Sequence, residues 1–247
     1  MIPLVYDQVN RWGKDDAFFI ALLKKTGVKN IADLGCGTGR LTTHFAKEGL
    51  HITAIDPHEA AIATAKRKKI SNCGKITWII GDSSKLHANS YDAVIMTANV
   101  AQVFLTNDSW QQVIADVYHA LKPGGHFIFD TRNPQAKIWE QWEKDVTPDE
   151  AVNQENGDPL EIWTSYEGFQ NQIYTFYETV KLAQSGKVIM KEKIQLKFRT
   201  YEEIHSSLRK AGFSQIHVYG DWEFQEPTAE TKSFIFHAEK RKTHHAQ

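Results

Sequence analysis

From residue 30 onward, short apolar runs alternate with stretches whose apolar residues recur at helical spacing. "NIADLG" (30–35), "HITAID" (51–56), "ITWII" (76–80), "YDAVIMT" (91–97) and "HFIFDT" (126–131) read as strands. Several are nearly continuous apolar runs, as expected of strands covered on both faces. Helices lie between them. "RLTTHFAKEG" stops at Gly49, a C-cap signal. "PHEAAIATAKRKK" places Pro57 at the first helical position. "DSWQQVIADVYHALKPGG" sets Asp108 and Gln111 at capping-box spacing and stops before Pro123-Gly124-Gly125. Ahead of the first strand, "DDAFFIALLKKTG" is an amphipathic helix predicted to lie against the sheet. Such alternation implies βαβ units and a parallel sheet.

After Thr131 the period changes. "RNPQAKIWEQWEKD" is a Trp-bearing helix or loop, and "VTPDEAVNQENGDP" is polar, turn-rich and expected to be mobile. "EIWTSYEGF", "QIYTFYETVKLA" and "KVIMKEKIQLKF" then alternate with period two, which predicts a small antiparallel sheet. In the last of these, Val188, Met190, Ile194, Leu196 and Phe198 share a face with Glu192, while Lys191, Lys193, Gln195 and Lys197 take the other. Gly186 supplies the turn before it. "TYEEIHSSLRKAGF" returns to helix, with Thr200 and Glu203 as a capping box and Gly212 at its end. "SQIHVYGDW" and "TKSFIFHAEK" read as two closing strands.

Composition narrows the function. The chain has 247 residues, of which 41% are hydrophobic, ample for a buried core. Lys plus Arg is 29 and Asp plus Glu is 30, a formal charge of −1, so charge makes no case for nucleic acid as a partner. Arg67, in "KRKK", suits the end of a helix, where cations favour the dipole. The two cysteines, Cys36 and Cys73, form no CxxC or Cys/His zinc spacing, so no metal is expected. That usage, the lack of an apolar signal core and the lack of a run of 18 apolar residues lead to the expectation of a soluble cytoplasmic protein with no membrane partner. Residues 243–247 read as a polar tail, and His244–His245 as part of a frayed end rather than a metal site.

The chemistry concentrates in "DLGCGTGR", residues 33–40. Gly35, Gly37 and Gly39 follow a strand and precede a helix. Such a turn exposes backbone N–H groups and lets a ligand approach, beyond the carboxyl ends of the strands. A dinucleotide fingerprint is GxGxxG, whose third glycine would fall here on Arg40. The pattern is GxGxG instead.

An acid, one residue and GxGxG resembles the first motif of the class I methyltransferases that use S-adenosylmethionine. Asp56 closing the second strand, "GDSS" after the third and "LKPGGHFIF" entering the fifth match the same family in order. The resemblance implies a Rossmann-like, doubly wound, seven-stranded and mostly parallel sheet with an antiparallel last strand. Residues 1–131 and 200–242 would form the core, and 132–199 an antiparallel β lid inserted after the fifth strand. It also implies site roles. Asp33, Gly35, Cys36 and Gly37 would face the methionine part of S-adenosyl-L-methionine, with Cys36 a backbone contact. Asp56, next to Pro57, would accept the ribose hydroxyls or cap the following helix. Asp82 and Ser83 would meet the adenine, or Asp82 is an ordinary turn residue. Asn99 would lie beside the sulfonium, or act as a cap. Tyr6 or Trp12 would close the site, or fill the core.

The lid resembles that of small-molecule methyltransferases, including sugar N-methyltransferases. Its aromatic residues, Tyr166 and Tyr174 among them, would line a substrate site or form the lid's own core. Arg132 would bind a substrate carboxylate or pair with a lid acid. The expected reaction is in-line methyl transfer to an N or O atom of a small molecule, by a monomer or homodimer. No catalytic base is identifiable. The alternatives are an NAD(P)-linked oxidoreductase, disfavoured by GxGxG, and a protein that binds S-adenosylmethionine without catalysis.

Overall fold

In a computed structural model, residues 3–69 and 74–242 are described; Cys73 and the tail with His244 and His245 lie outside them. The elements run α1 (Tyr6–Val9), α2 (Lys14–Thr26), β1 (Asn30–Leu34), α3 (Thr42–Lys47), β2 (His51–Asp56), α4 (Glu59–Arg67), β3 (Lys75–Ile80), β4 (Tyr91–Met96), α5 (Asn107–Ala120) and β5 (Leu121–Arg132). There follow α6 (Trp139–Trp142), β6 (Asp149–Val152), β7 (Pro159–Gln170), β8 (Ile173–Leu182), β9 (Val188–Lys197), α7 (Tyr201–Lys210), β10 (Phe213–Gly220) and β11 (Ser233–Lys240). No helix among the described residues is long and apolar enough to cross a membrane.

Two sheets result. Seven strands in the order β10-β11-β5-β4-β1-β2-β3 form the first, with β1 to β5 parallel and β11 antiparallel to both of its neighbours. The chain runs outward from β1 to β3, then returns to β4 on the other side. Strand alternation divides the core. Ile31, Ile52, Ile95 and Ile128 pack with Phe18, Phe19, Leu22 and Phe45 of α2 and α3. Ala32, Val94, Phe127 and Phe129 face the other way, against Trp110, Val113 and Val117 of α5 and Leu208 of α7. Both faces are therefore covered, which explains the apolar runs.

The second sheet, β6-β7-β8-β9, is antiparallel and forms the lid. It presents one face to two apolar clusters. Leu160, Ile162 and Val180 pack with Val5 of the N-terminal segment. Tyr174, Phe198, Tyr166 and Phe176 pack with Trp139 and Trp142 of α6. Between the clusters the register sets Thr164, Glu178 and Glu192 side by side.

Three local expectations change. α4 begins at Glu59, because the Asp56 carboxylate takes the His58 N–H at 2.9 Å and makes a turn through Pro57. The cap of α5 is Thr106, whose Oγ1 accepts from Ser109 N at 3.1 Å; Asp108 sits in the first turn. The polar stretch after Val146 contains the edge strand β6, tied to Gln8 through both N–H and C=O of Val152. Charge and turn residues hid that strand. At the opposite edge, β9 has no outer partner among the described residues and leaves Val188 and Met190 exposed.

The Thr200 capping box forms in full: Glu203 N donates to Thr200 Oγ1 at 3.2 Å, and Thr200 N to Glu203 Oε2 at 2.7 Å. Thr200→Ala should cost about 1 kcal/mol, read as a lower urea midpoint with unchanged slope. An unchanged midpoint would mean that packing of Ile204 and Leu208 alone holds α7.

Candidate functional site

A cleft of about 190 Å³ opens at the carboxyl ends of β1, β2 and β4, at the point where the strand order reverses. Open α/β sheets bind ligands at such a point. Asp33, Gly35, Cys36, Gly37 and Asp56 line it, with Tyr6 and Arg40. A larger groove of about 450 Å³ between α5 and α7 holds none of these residues.

The three glycines serve different ends. All have positive φ, at 80°, 54° and 69°. A Cβ on Gly35 would come within 2.6 Å of the Val100 side chain, and one on Gly39 within 2.4 Å of Trp78. Their missing side chains make room for protein. A Cβ on Gly37 would meet nothing within 4 Å, so this position alone of the three opens onto free space. The expected backbone approach at Gly35 is therefore better explained by Val100. The loop is pinned by Asp56, whose Oδ2 accepts from Gly37 N at 2.8 Å while Oδ1 accepts from His58 N. A carboxylate has about four lone-pair sites, so these bonds leave acceptor capacity free.

Asp33 is buried, and its Oδ2 accepts from Thr42 Oγ1 at 2.6 Å. Its Oδ1 has no partner. Burial, against the opposing Thr42 hydrogen bond and with help from the Asp56 charge, pushes its pKa up to about 7. Asp130 is raised to about 7 as well, again by burial, although both oxygens accept from Asn99 N at 3.0 Å. That bond holds Ala98 and Asn99 at positive φ and so shapes the wall after β4. Burial also pushes the Cys36 thiol far up, which makes it a poor nucleophile.

Arg40 replaces the glycine of a dinucleotide loop with a fixed cation. Nη1 and Nη2 donate to the two oxygens of buried Asp16, at 2.6 and 2.8 Å, and Nε has no partner. α1 closes one side of the cleft. Thr38 Oγ1 donates to Asp7 Oδ1 at 2.5 Å, and Lys68 forms an ion pair with the same carboxylate. Tyr6 lines the cleft, and burial raises its phenol pKa despite the Arg40 charge beside it.

Other expected residues fall elsewhere. Asp82 is exposed and caps the turn after β3 by accepting from Ser84 N at 3.0 Å; hydrogen bonding from the Ser84 side chain, and then from its N–H, lowers its pKa. Ser83 donates to Asp116 Oδ2 on α5 at 2.6 Å. Pro57 and Asn99 are not among the lining residues; Thr97, Ala98 and Val100 are. The Asn99 Oδ1 is buried without a partner. Trp12 lies at the surface against His44, with ring centroids 4.5 Å apart. Tyr174 is fully buried in the lid, donating to Glu143 at 2.7 Å; burial and that carboxylate raise its pKa. Tyr166 packs beside it at 6.2 Å. Arg132 pairs with no lid acid among the described residues. It donates to Gln102 Oε1 at 2.8 Å and lies over the Trp142 ring.

Sequence patterning missed Arg40, Asp16, Asp7 and Asp130. A cation directly after the glycines and the acids of "KDD" were the available signals for the first pair. Asp7 shares its segment with Tyr6, and Asp130 its strand end with Arg132, but the pattern singles out neither acid.

Comparison with known proteins agrees with this geometry. A family model described as a methyltransferase domain matches residues 31–125, which hold the glycine loop, Asp33 and Asp56. A putative methyltransferase of Bacillus subtilis, YqeM, is 27% identical over 96% of this chain and 92% of its own length. An S-adenosylmethionine-dependent methyltransferase from Clostridium acetobutylicum superposes with a TM-score of 0.74 at 17% identity, over 94% of this chain and 93% of that one. The chain carries a methyltransferase domain and has the fold of S-adenosylmethionine-dependent methyltransferases. The structure of an amino pentose methyltransferase from Micromonospora echinaspora with S-adenosylmethionine bound superposes on this methyltransferase with a TM-score of 0.67, at 18% identity over 94% of this chain and 93% of that one. The oxidoreductase and non-catalytic alternatives thereby lose their support.

The residues of the cleft fit the cofactor. An orphaned buried carboxylate oxygen on Asp33 suits a cationic group, and open space at Gly37 suits close approach to backbone. The glycine contrast is testable in the methyltransferase. Gly37→Ala should weaken S-adenosylhomocysteine binding about tenfold or more, with about 1 kcal/mol lost to positive-φ strain. Gly35→Ala should instead lower stability by about 1–3 kcal/mol through overpacking against Val100. Calorimetric binding and urea titrations of both variants check this, and equal binding losses would erase the distinction.

Proposed function

We propose that this methyltransferase transfers a methyl group to an N or O atom of a small molecule held between the cofactor cleft and the inner face of the lid. The observation that carries the reading is α1. Val5 is buried in the lid, Tyr6 lines the cleft and Asp7 bonds to Thr38 of the glycine loop. Three consecutive residues therefore link the lid to the cleft. A cleft with a lid tied beside it suits a small acceptor, and the likeness to an amino pentose methyltransferase supports the same class.

S-adenosylmethionine supplies the methyl group already activated on a sulfonium. The chain's share is alignment and exclusion of water. In this proposal Asp56 holds the ribose hydroxyls, Gly37 offers its backbone, and Asp33 faces the cationic amino-acid end. Thr97, Ala98 and Val100 form the wall beside the reacting centre, fixed from behind by Asp130. Asp82 and Ser83 remain the candidates nearest the adenine end, through the turn that follows β3. An amine acceptor needs only to arrive neutral, and no base is assigned.

The reading is tested by incubating the protein with methyl-labelled cofactor and a metabolite extract. Label should enter the small-molecule fraction; label confined to protein or nucleic acid would overturn it. Asp33 adds a pH signature. Its carboxylate must be charged to hold a cation, and its pKa is about 7 in the free protein. Below that pH, binding must expel a proton, so affinity for S-adenosylhomocysteine should fall by up to about tenfold per pH unit. Asp33→Asn should bind more weakly at pH 8 and lose this slope. A slope that persists in the variant would assign the titration to another group, such as Asp130.

A further inference from the structure

Arg132 stands at the end of β5, where the core gives way to the lid, and two contacts hold it. Nη1 donates to Gln102 Oε1 at 2.8 Å. The guanidinium carbon lies 4.9 Å from the centroid of the Trp142 ring on α6. Gln102 is itself fully buried, with Nε2 donating to the Lys197 carbonyl of β9 at 3.3 Å. The turn after β4, α6 and β9 thus combine to orient one side chain.

Its charge is answered only at a distance, by Asp130, without an ion-pair contact. No carboxylate among the described residues forms an ion pair with Arg132. Asp130, whose charge favours the guanidinium, directs its oxygens to the Asn99 N–H and makes no hydrogen bond to Arg132. A guanidinium carries five N–H donors in a flat fork, and the Gln102 bond uses one. A partly buried cation without a hydrogen-bonded carboxylate is costly, while a stacked and pre-oriented fork matches a planar or tetrahedral oxyanion. We propose that Arg132 is the anchor for an anionic group, a carboxylate or a phosphate, on the methyl acceptor. This rests on a small-molecule acceptor bound beneath the lid. It resolves the choice between substrate anion and lid acid in favour of the substrate.

The test reads Arg132 directly. Arginine side-chain N–H correlation spectra are recorded on ¹⁵N-labelled protein, with and without saturating S-adenosylhomocysteine, during titration with acetate, methyl phosphate or neutral acetamide at constant ionic strength. The Arg132 signal is assigned by its absence in Arg132→Gln, or in Arg132→Lys if the first variant does not fold. The signal should shift saturably with at least one anion and not with acetamide. The tighter of the two anions identifies carboxylate or phosphate as the group recognised. Arg132→Gln should leave S-adenosylhomocysteine affinity within about twofold of wild type, because the arginine is placed on the acceptor side. An Arg132 signal that ignores both anions, or that moves equally with acetamide, overturns the proposal. Label entering only macromolecules in the extract experiment would instead overturn the small-molecule reading, whatever Arg132 does.

Discussion

The Asp56 carboxylate is the clamp on which the cleft depends. One oxygen takes the Gly37 N–H and the other the His58 N–H. The loop after β1 and the turn after β2 are thereby fixed to each other at the strand ends. Without that clamp, a loop with three positive-φ glycines would have many conformations to lose on binding a ligand. With it, the ordering entropy is met during folding, and Gly37 is presented in one conformation. Val100 and Trp78 fill the spaces beside Gly35 and Gly39, so packing reinforces the hydrogen bonds.

The acids at the strand ends are kept at a cost. Burial raises both Asp33 and Asp130 to about 7. For a raised carboxyl, the contribution to folding is fully present below its unfolded pKa and is lost as pH rises through about 7. Near neutral pH these two groups therefore weaken the fold rather than support it. Asp130 recovers part of that through the Asn99 N–H. The unpartnered Asp33 oxygen recovers nothing within the protein, as expected of a group whose partner is a ligand.

The lid couples to the same place through short, polar and apolar links used together. Val5 inserts into the lid's core, Gln8 exchanges two hydrogen bonds with Val152, and Asp7 reaches Thr38. On the opposite side Arg132, Gln102 and Trp142 join β5, the turn after β4 and α6. Lid aromatic residues mostly serve its own interior: Tyr174 and Phe198 are fully buried. Those two rings are therefore not free to form a substrate wall, which leaves the polar groups at the seam as the more accessible features.

The sequence by itself determined the parallel strands, the glycine loop, the acid within β1, the acid closing β2 and the antiparallel grammar of the lid. Each is written in local period or spacing, where backbone geometry and burial act on neighbouring residues. It could not separate the roles of Gly35, Gly37 and Gly39, because Val100 and Trp78 approach from distant parts of the chain. It did not show that Arg40 is locked by Asp16, that Asp7 latches the loop or that Asp130 shapes the wall after β4. It overstated Trp12, whose bulk finds a neighbour in His44 at the surface. These outcomes were decided by tertiary structure alone, because a buried charge takes its partner from whichever element folding brings against it, and sequence separation does not encode that distance.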